Sequence, residues 1–270
     1  MADLARLSLN QATTQYWPMR DTLRGCAASG VGWIGLWRHK VEEIGLSDTT
    51  QLLRACGLRA SSLCRGGFFP APTEQERQQR LDDNRRAIDE AAALGADVLV
   101  LVCGPPVDRD LRAARQMVED GIAAVLPYAA ERAVRLAIEP LHPMYAADRS
   151  VVVTLRQAND MVERLDSPWV GVAVDAYHVW WDPEVEAQIA RAAGRILGFH
   201  VSDWLVPPPD HLLGRGYMGD GVIDLPLLAA RVARAGYSGP IEVEIFNQQV
   251  WDTPGEQVLE EIKKRFVEFV

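Results

Sequence analysis

The chain has 270 residues, of which 48% are hydrophobic and 24% charged, ordinary globular proportions that exclude disordered, fibrous and disulfide-scaffold proteins. Its 28 Lys and Arg against 37 Asp and Glu leave a formal charge of −9, which argues against a general nucleic-acid or anionic-membrane surface and favours small-molecule chemistry. Four cysteines, Cys26, Cys56, Cys64 and Cys103, show no CxxC spacing, so reduced and mostly buried thiols are expected rather than a disulfide framework.

Short apolar runs alternate with longer amphipathic stretches along the whole chain. Residues 7–10 read as a first strand followed by a helix over about 19–28, and residues 31–37 as a second followed by a helix over 48–56. The segment 59–64 leads through a Gly-Gly and Pro-rich loop to a helix over 74–94 that Gly95 terminates. Residues 96–103 form the clearest buried strand, nearly continuous in apolar β-formers, and a long helix or helix pair follows over 110–132. The second half repeats the rhythm, with strands at 134–139, 170–175, 196–202 and 241–246 and helices near 152–165, 184–193, 224–235 and 254–270. Asp224 is a natural N-cap ahead of Leu225 and Pro226, and Gly236 closes that helix.

Eight strand-then-helix units without a linker predict one α/β domain over residues 1–270, a closed (β/α)8 TIM barrel rather than an open sheet. No GxxxxGK[ST] phosphate loop occurs, and no organic cofactor is expected. The amino terminus, Met-Ala-Asp-Leu-Ala-Arg, carries an acid where a signal peptide carries base, and no apolar run approaches the roughly 20 residues of a membrane span. A cytoplasmic location is the default expectation, with neither membrane nor nucleic acid as partner.

Active sites of such barrels lie at the carboxyl ends of the strands. The fifth strand ends Ala137-Ile138-Glu139, the sixth Ala173-Val174-Asp175, the seventh Gly198-Phe199-His200, and the eighth Glu242-Val243-Glu244. Isolated carboxylates in a barrel mouth repel one another and are costly to bury unless a cation offsets them. Glu139, Asp175, His200 and Glu244 are therefore expected to hold one divalent ion with open positions. A mainly oxygen set suits Mn²⁺ or Mg²⁺, with Co²⁺ or Zn²⁺ as further options.

The motifs Ala137-Ile138-Glu139-Pro140-Leu141-His142-Pro143, Val174-Asp175-Ala176-Tyr177-His178, Phe199-His200-Val201-Ser202-Asp203, Met218-Gly219-Asp220-Gly221-Val222-Ile223-Asp224 and Val243-Glu244-Ile245-Phe246 resemble the xylose-isomerase-like sugar phosphate isomerase/epimerase superfamily. The resemblance implies the same four metal ligands, and it implies that Glu139 and Glu244 act as acid/base partners on opposite faces of a ketose or sugar phosphate. A proton α to a carbonyl is weakly acidic, so a chelating metal stabilises the enediolate while one carboxylate removes the proton and the other returns it with inversion. Returning the proton to the neighbouring carbon would give aldose–ketose isomerisation with the same ligands. Glu242 shares its strand face with Glu244 one layer deeper, and the match of Val243-Glu244 to the family pattern selects Glu244.

The resemblance further implies substrate contacts from His178, three residues after Asp175, and from Arg215 in the loop after the His200 strand. His142 and Trp37, the latter as an apolar wall, are additional substrate-binding candidates. Lys40, Lys263 and Lys264 are the only lysines, and none lies where xylose isomerases place a catalytic one, which disfavours hydride-shift isomerisation. Five histidines are too few for the three-metal site of endonuclease-IV-type repair enzymes. An inosose dehydratase or hydroxypyruvate-type isomerase is the alternative within the superfamily, and a non-catalytic sugar- or partner-binding barrel the alternative of another class. The family permits a homo-oligomer.

Overall fold

Strand β4 (Val98–Val102) shows how the sheet sorts its side chains in the computed structural model, which describes residues 3–270. Leu99 and Leu101 face the helices, whereas Val98 and Val100 face inward with Cys64, Ala137 and Ala173, the period-two alternation of a pleated strand. The other strands are β1 (Leu7–Asn10), β2 (Trp33–Trp37), β3 (Arg59–Gly67), β5 (Arg135–Glu139), β6 (Val170–Asp175), β7 (Ile196–Val201), the short β8 (Asp203–Trp204) and β9 (Arg215–Gly216), and β10 (Ile241–Val243). Strands β1 to β7 and β10 close a barrel in the order β1-β10-β7-β6-β5-β4-β3-β2, and neighbours within it pair parallel. The (β/α)8 expectation is met.

Helices α1 (Met19–Ser29), α2 (Arg38–Glu42), α3 (Leu46–Ala55), α4 (Glu74–Leu94), α5 (Leu111–Glu131) and α6 (Leu155–Leu165) occupy the first two thirds of the chain. They are followed by α7 (Ala176–Val179), α8 (Val185–Arg191), α9 (Leu225–Arg234), α10 (Gln248–Trp251) and α11 (Gly255–Phe269). Capping explains the sharper boundaries. Thr73 and Glu76 form a reciprocal capping box at the start of α4, and Gly95 ends it at φ 71°. Asp224 caps Leu227 N–H at the start of α9. The stretch expected as a helix or helix pair is one continuous α5, with Pro127 inside it. Among the described residues no helix is long and apolar enough to cross a membrane. The four cysteines are free, and only Cys56 is not fully buried.

Several boundaries differ from expectation by two or three residues, and two of these differences bear on the site. Strand β3 runs through Gly66 and Gly67, which composition assigns to a loop, because both pair with β4 opposite Leu101 and Val102. Gly67 has φ 103° and a Cβ there would sit 2.0 Å from the Val102 carbonyl oxygen, so glycine permits the close approach instead of breaking the strand. Strand β10 stops at Val243 rather than Phe246, although Glu244 N–H still donates to the Val201 carbonyl at 3.1 Å. The segment Gly30-Val31-Gly32-Trp33-Ile34-Gly35 has GxGxxG spacing, but it leaves the end of α1 and enters β2, the reverse of the strand-to-helix turn that cradles a pyrophosphate.

Register aligns the polar strand ends. Glu139 pairs with Val102, Asp175 with His200, and His200 with Glu242. Each of these acids, and His200, falls on the inward face, since Ile138, Val174, Phe199 and Val243 beside them pack outward against the helices.

Candidate active site and metal centre

Glu139, Asp175, His200 and Glu244 converge at the barrel mouth, with one ligand atom from each lying within 4.8 Å of the others. All four are at least 95% buried. The His200 Nδ1 lies 3.0 Å from Glu139 Oε1 and 3.9 Å from Glu244 Oε2, yet neither Nδ1 nor Glu139 Oε1 has a hydrogen bond of proper geometry. Two buried polar atoms that lie side by side without a well-formed hydrogen bond are a cost that a shared cation would remove. The donor set, three carboxylates and one imidazole, fits a divalent ion, and these four residues would hold it.

Electrostatics within the cluster follow from burial and from Arg215. That guanidinium is brought back over the mouth by the antiparallel β8–β9 pair, and the segment that follows β9 is tied back to β8 by the Asp203 carboxylate, which accepts from the N–H groups of Trp204, Gly219 and Ile223 at 2.8, 2.9 and 3.0 Å. Arg215 Nη1 donates to Asp175 Oδ2 at 2.9 Å and to Glu244 Oε2 at 3.0 Å, and its plane lies 4.5 Å from the Tyr177 ring centre. Burial pushes the Glu244 carboxyl well above the usual range, with Arg215 and His200 pulling it partly back. Burial also opposes ionisation of Asp175, but Arg215 and His178 outweigh it and hold that carboxyl below its ordinary value. For His200, desolvation is overcome by Glu242, Glu139 and Glu244, so its pKa rises.

One layer deeper, Glu242 is the residue that the sequence pattern alone could confuse with Glu244. Its carboxylate accepts from Asn10 Nδ2 at 2.8 Å and Ser61 Oγ at 2.7 Å, and lies 3.7 Å from His200 Nε2. Gly35 makes room for it, since a Cβ there would fall 2.2 Å from its Oε2. Glu242 thus faces the ring edge of His200 opposite the cluster, while Glu244 faces the cluster itself.

The cleft above the cluster is lined by Glu139, Glu244, His178, Arg215 and Trp37, together with Arg65, Tyr145, Arg149, Leu212 and Phe246 among others. His178 is buried, its Nε2 is 3.2 Å from Arg215 Nη2 and its Nδ1 is unpartnered. Burial is the main reason its pKa is pushed down to about 3, so the imidazole is neutral. Trp37 donates its indole N–H to Asn10 Oδ1 at 2.7 Å and sets its ring against Phe246. His142 does not line this cleft. Its Nδ1 accepts from Met144 N–H at 3.2 Å, and its ring packs 4.8 Å from that of Trp204. Arg65, Arg149 and Tyr145 were not singled out in the sequence because they sit in segments read as loops, where no periodicity marks a direction.

A parallel (β/α)8 barrel with three carboxylates and an imidazole gathered at the carboxyl ends of consecutive strands defines a class of barrels whose mouth could hold a cation. Within that class, the chain belongs to the xylose isomerase-like TIM barrel family, whose pattern matches residues 23–267. The crystal structure of protein SMc04130 from Sinorhizobium meliloti 1021 is 49% identical and superposes with a TM-score of 0.96, covering 99% of each chain. A 3-dehydroshikimate dehydratase of Pseudomonas putida KT2440 is 30% identical over 67% of this chain, and the match spans only 28% of that longer protein. An L-ribulose-5-phosphate 3-epimerase from Escherichia coli O157:H7 is 24% identical, covering 74% of this chain and 69% of its own.

Proposed function

We propose that the protein is a divalent-metal-dependent isomerase or epimerase that moves or inverts a proton α to the carbonyl of a ketose or sugar phosphate. The observation that carries this reading is the convergence of Glu139, Asp175, His200 and Glu244 within 4.8 Å, with the two glutamates at the ends of the four-strand arc β5-β6-β7-β10. Mn²⁺ or Mg²⁺ suits the oxygen-rich set, and such an ion supplies positive charge against the negative charge that grows on substrate oxygens as the C–H bond breaks. Glu139 and Glu244 then divide the proton work, one removing the proton from one face and the other returning it from the opposite face. Arg215, free to donate from its remaining N–H groups, and the neutral His178 orient substrate oxygens. Trp37 and Phe246 supply an apolar wall that excludes water from the reacting carbon.

The dehydratase among the relatives favours a second reading, in which the same proton removal is followed by loss of hydroxide from the adjacent carbon. Product analysis separates the two. The test is exchange of substrate hydrogen in deuterated water across a ketose panel, using wild type and the Glu139→Gln and Glu244→Gln variants. Either substitution is expected to lower the exchange rate by several orders of magnitude with the fold intact, since removing one acid/base partner alone costs about 10²–10⁴-fold and these groups act together. Near-wild-type exchange in both variants would refute the assignment, and an unaltered ligand response without turnover in any form would leave a binding barrel.

A further inference from the structure

Most arginines of the barrel are tied to acids. Arg38 forks onto Asp83 at 3.1 Å and Glu90 at 2.6 Å, Arg191 holds Glu163 at 2.6 Å, and Arg164 holds Glu119 at 2.7 Å. Two arginines of the cleft make no side-chain hydrogen bond to an acid. Arg65 lies with its guanidinium 4.1 Å from the Phe68 ring centre, and Asp83, the acid acting on it, is already occupied by Arg38. Arg149 lies 5.6 Å from the Tyr145 ring centre. Its Nε is buried without a hydrogen-bond partner, and Asp148 is 3.8 Å away. Both arginines line the same cleft as Glu139 and Glu244.

An aromatic face fixes the plane of a guanidinium while leaving its N–H edge free to donate. Electrostatics point the same way. Both guanidinium-bearing side chains line one cleft, Arg149 is paired only with Asp148 at 3.8 Å, and its positive charge acts against that of Arg65. Without a ligand this placement is unfavourable, and an anion between them reverses the sign.

We propose that Arg65 and Arg149 form an anion subsite, so that the substrate of this cleft carries a carboxylate or phosphate group in addition to its carbonyl. The inference rests on the cleft being the substrate site, as proposed above, but its test does not depend on turnover. Purified chain stripped of metal is titrated with inorganic phosphate and, separately, with acetate, followed by ³¹P and ¹³C line widths, and the titrations are repeated with Mg²⁺. At least one anion is expected to bind, and Arg65→Gln or Arg149→Gln each to weaken it about tenfold, as expected for loss of one charge-assisted donor pair, whereas Arg20→Gln leaves it unchanged. Preference for phosphate identifies a phosphorylated substrate, and preference for acetate a keto acid.

Arg149 is partly exposed, so its variant keeps the test alive if Arg65→Gln does not fold. Binding of neither anion, or binding that both substitutions leave intact, overturns the subsite. An anion that binds only once Mg²⁺ is present, with no response to either arginine, overturns it equally. Failure of the chain to bind Mg²⁺ while the arginine-dependent anion binding persists would instead strike the metal reading and leave the subsite standing.

Discussion

Removing the Arg215 guanidinium exposes how the buried carboxylates are tolerated. In Arg215→Met, Asp175 and Glu244 lose donors at 2.9 and 3.0 Å in a place where the arginine is only 5% exposed. Stripping one partner from a buried ion pair costs about 3–5 kcal/mol because the other charge is left uncompensated. The lower end, about 3 kcal/mol, applies here, since burial already holds Glu244 well above the usual carboxyl range and it takes up a proton as the guanidinium leaves. For a chain of this size that is a fall in Tm of roughly 6 °C or more.

Protonated carboxyls have no need of a guanidinium, so the gap between variant and wild type narrows as pH falls and widens as pH rises through the carboxyl pKa values of the fold. A divalent ion replaces the missing charge, so Mn²⁺ raises the Tm of the variant more than that of wild type. Scanning calorimetry of both proteins, metal-free and with Mn²⁺ at two pH values, measures all three quantities. A metal-free variant within about 1 °C of wild type, or equal metal-induced shifts, would refute the reasoning.

Glu242→Gln is expected to weaken Mn²⁺ binding about 10–100-fold by withdrawing the carboxylate behind His200, and calorimetric titration of the ion measures it; unchanged affinity would show that Asn10 and Ser61 alone orient this layer. Asn84→Ala removes donors and acceptors that bind the Gly67 N–H at 2.6 Å and the Gly67 carbonyl at 2.8 Å. Leaving those buried groups unpaired costs about 1–3 kcal/mol, read as a lower urea midpoint with unchanged slope. Gly67→Ala meets the Val102 carbonyl at a positive φ and is expected to cost more than Asn84→Ala, in the same urea assay; equal or greater stability than Asn84→Ala would contradict the backbone argument.

The strand ends were legible because a parallel strand buried on both faces reads as an apolar run, and a polar residue that stops it stands at the mouth. Glu139, Asp175, His200 and Glu244 follow from that rule, and the structure brings all four together. What lies behind and above them leaves no local trace. Glu242 is held by Ser61 and Asn10, partners 181 and 232 residues away in sequence, and Arg149 sits in an irregular segment whose direction no periodicity reports. Gly66 and Gly67 carry loop composition but pair as strand, since tertiary pairing with β4 outweighs local preference. His142 belongs to a motif resembling the family, yet its ring turns toward Trp204 and Trp181 instead of the cleft.

The central claim is that four side chains hold one divalent ion. The direct measurement is metal stoichiometry of wild type and His200→Ala after equilibration with Mn²⁺ and removal of the excess. The account predicts about one ion per chain in wild type, as the single four-ligand cluster requires, and far less in the variant. Wild type that retains no ion, or a variant that retains as much as wild type, would contradict it.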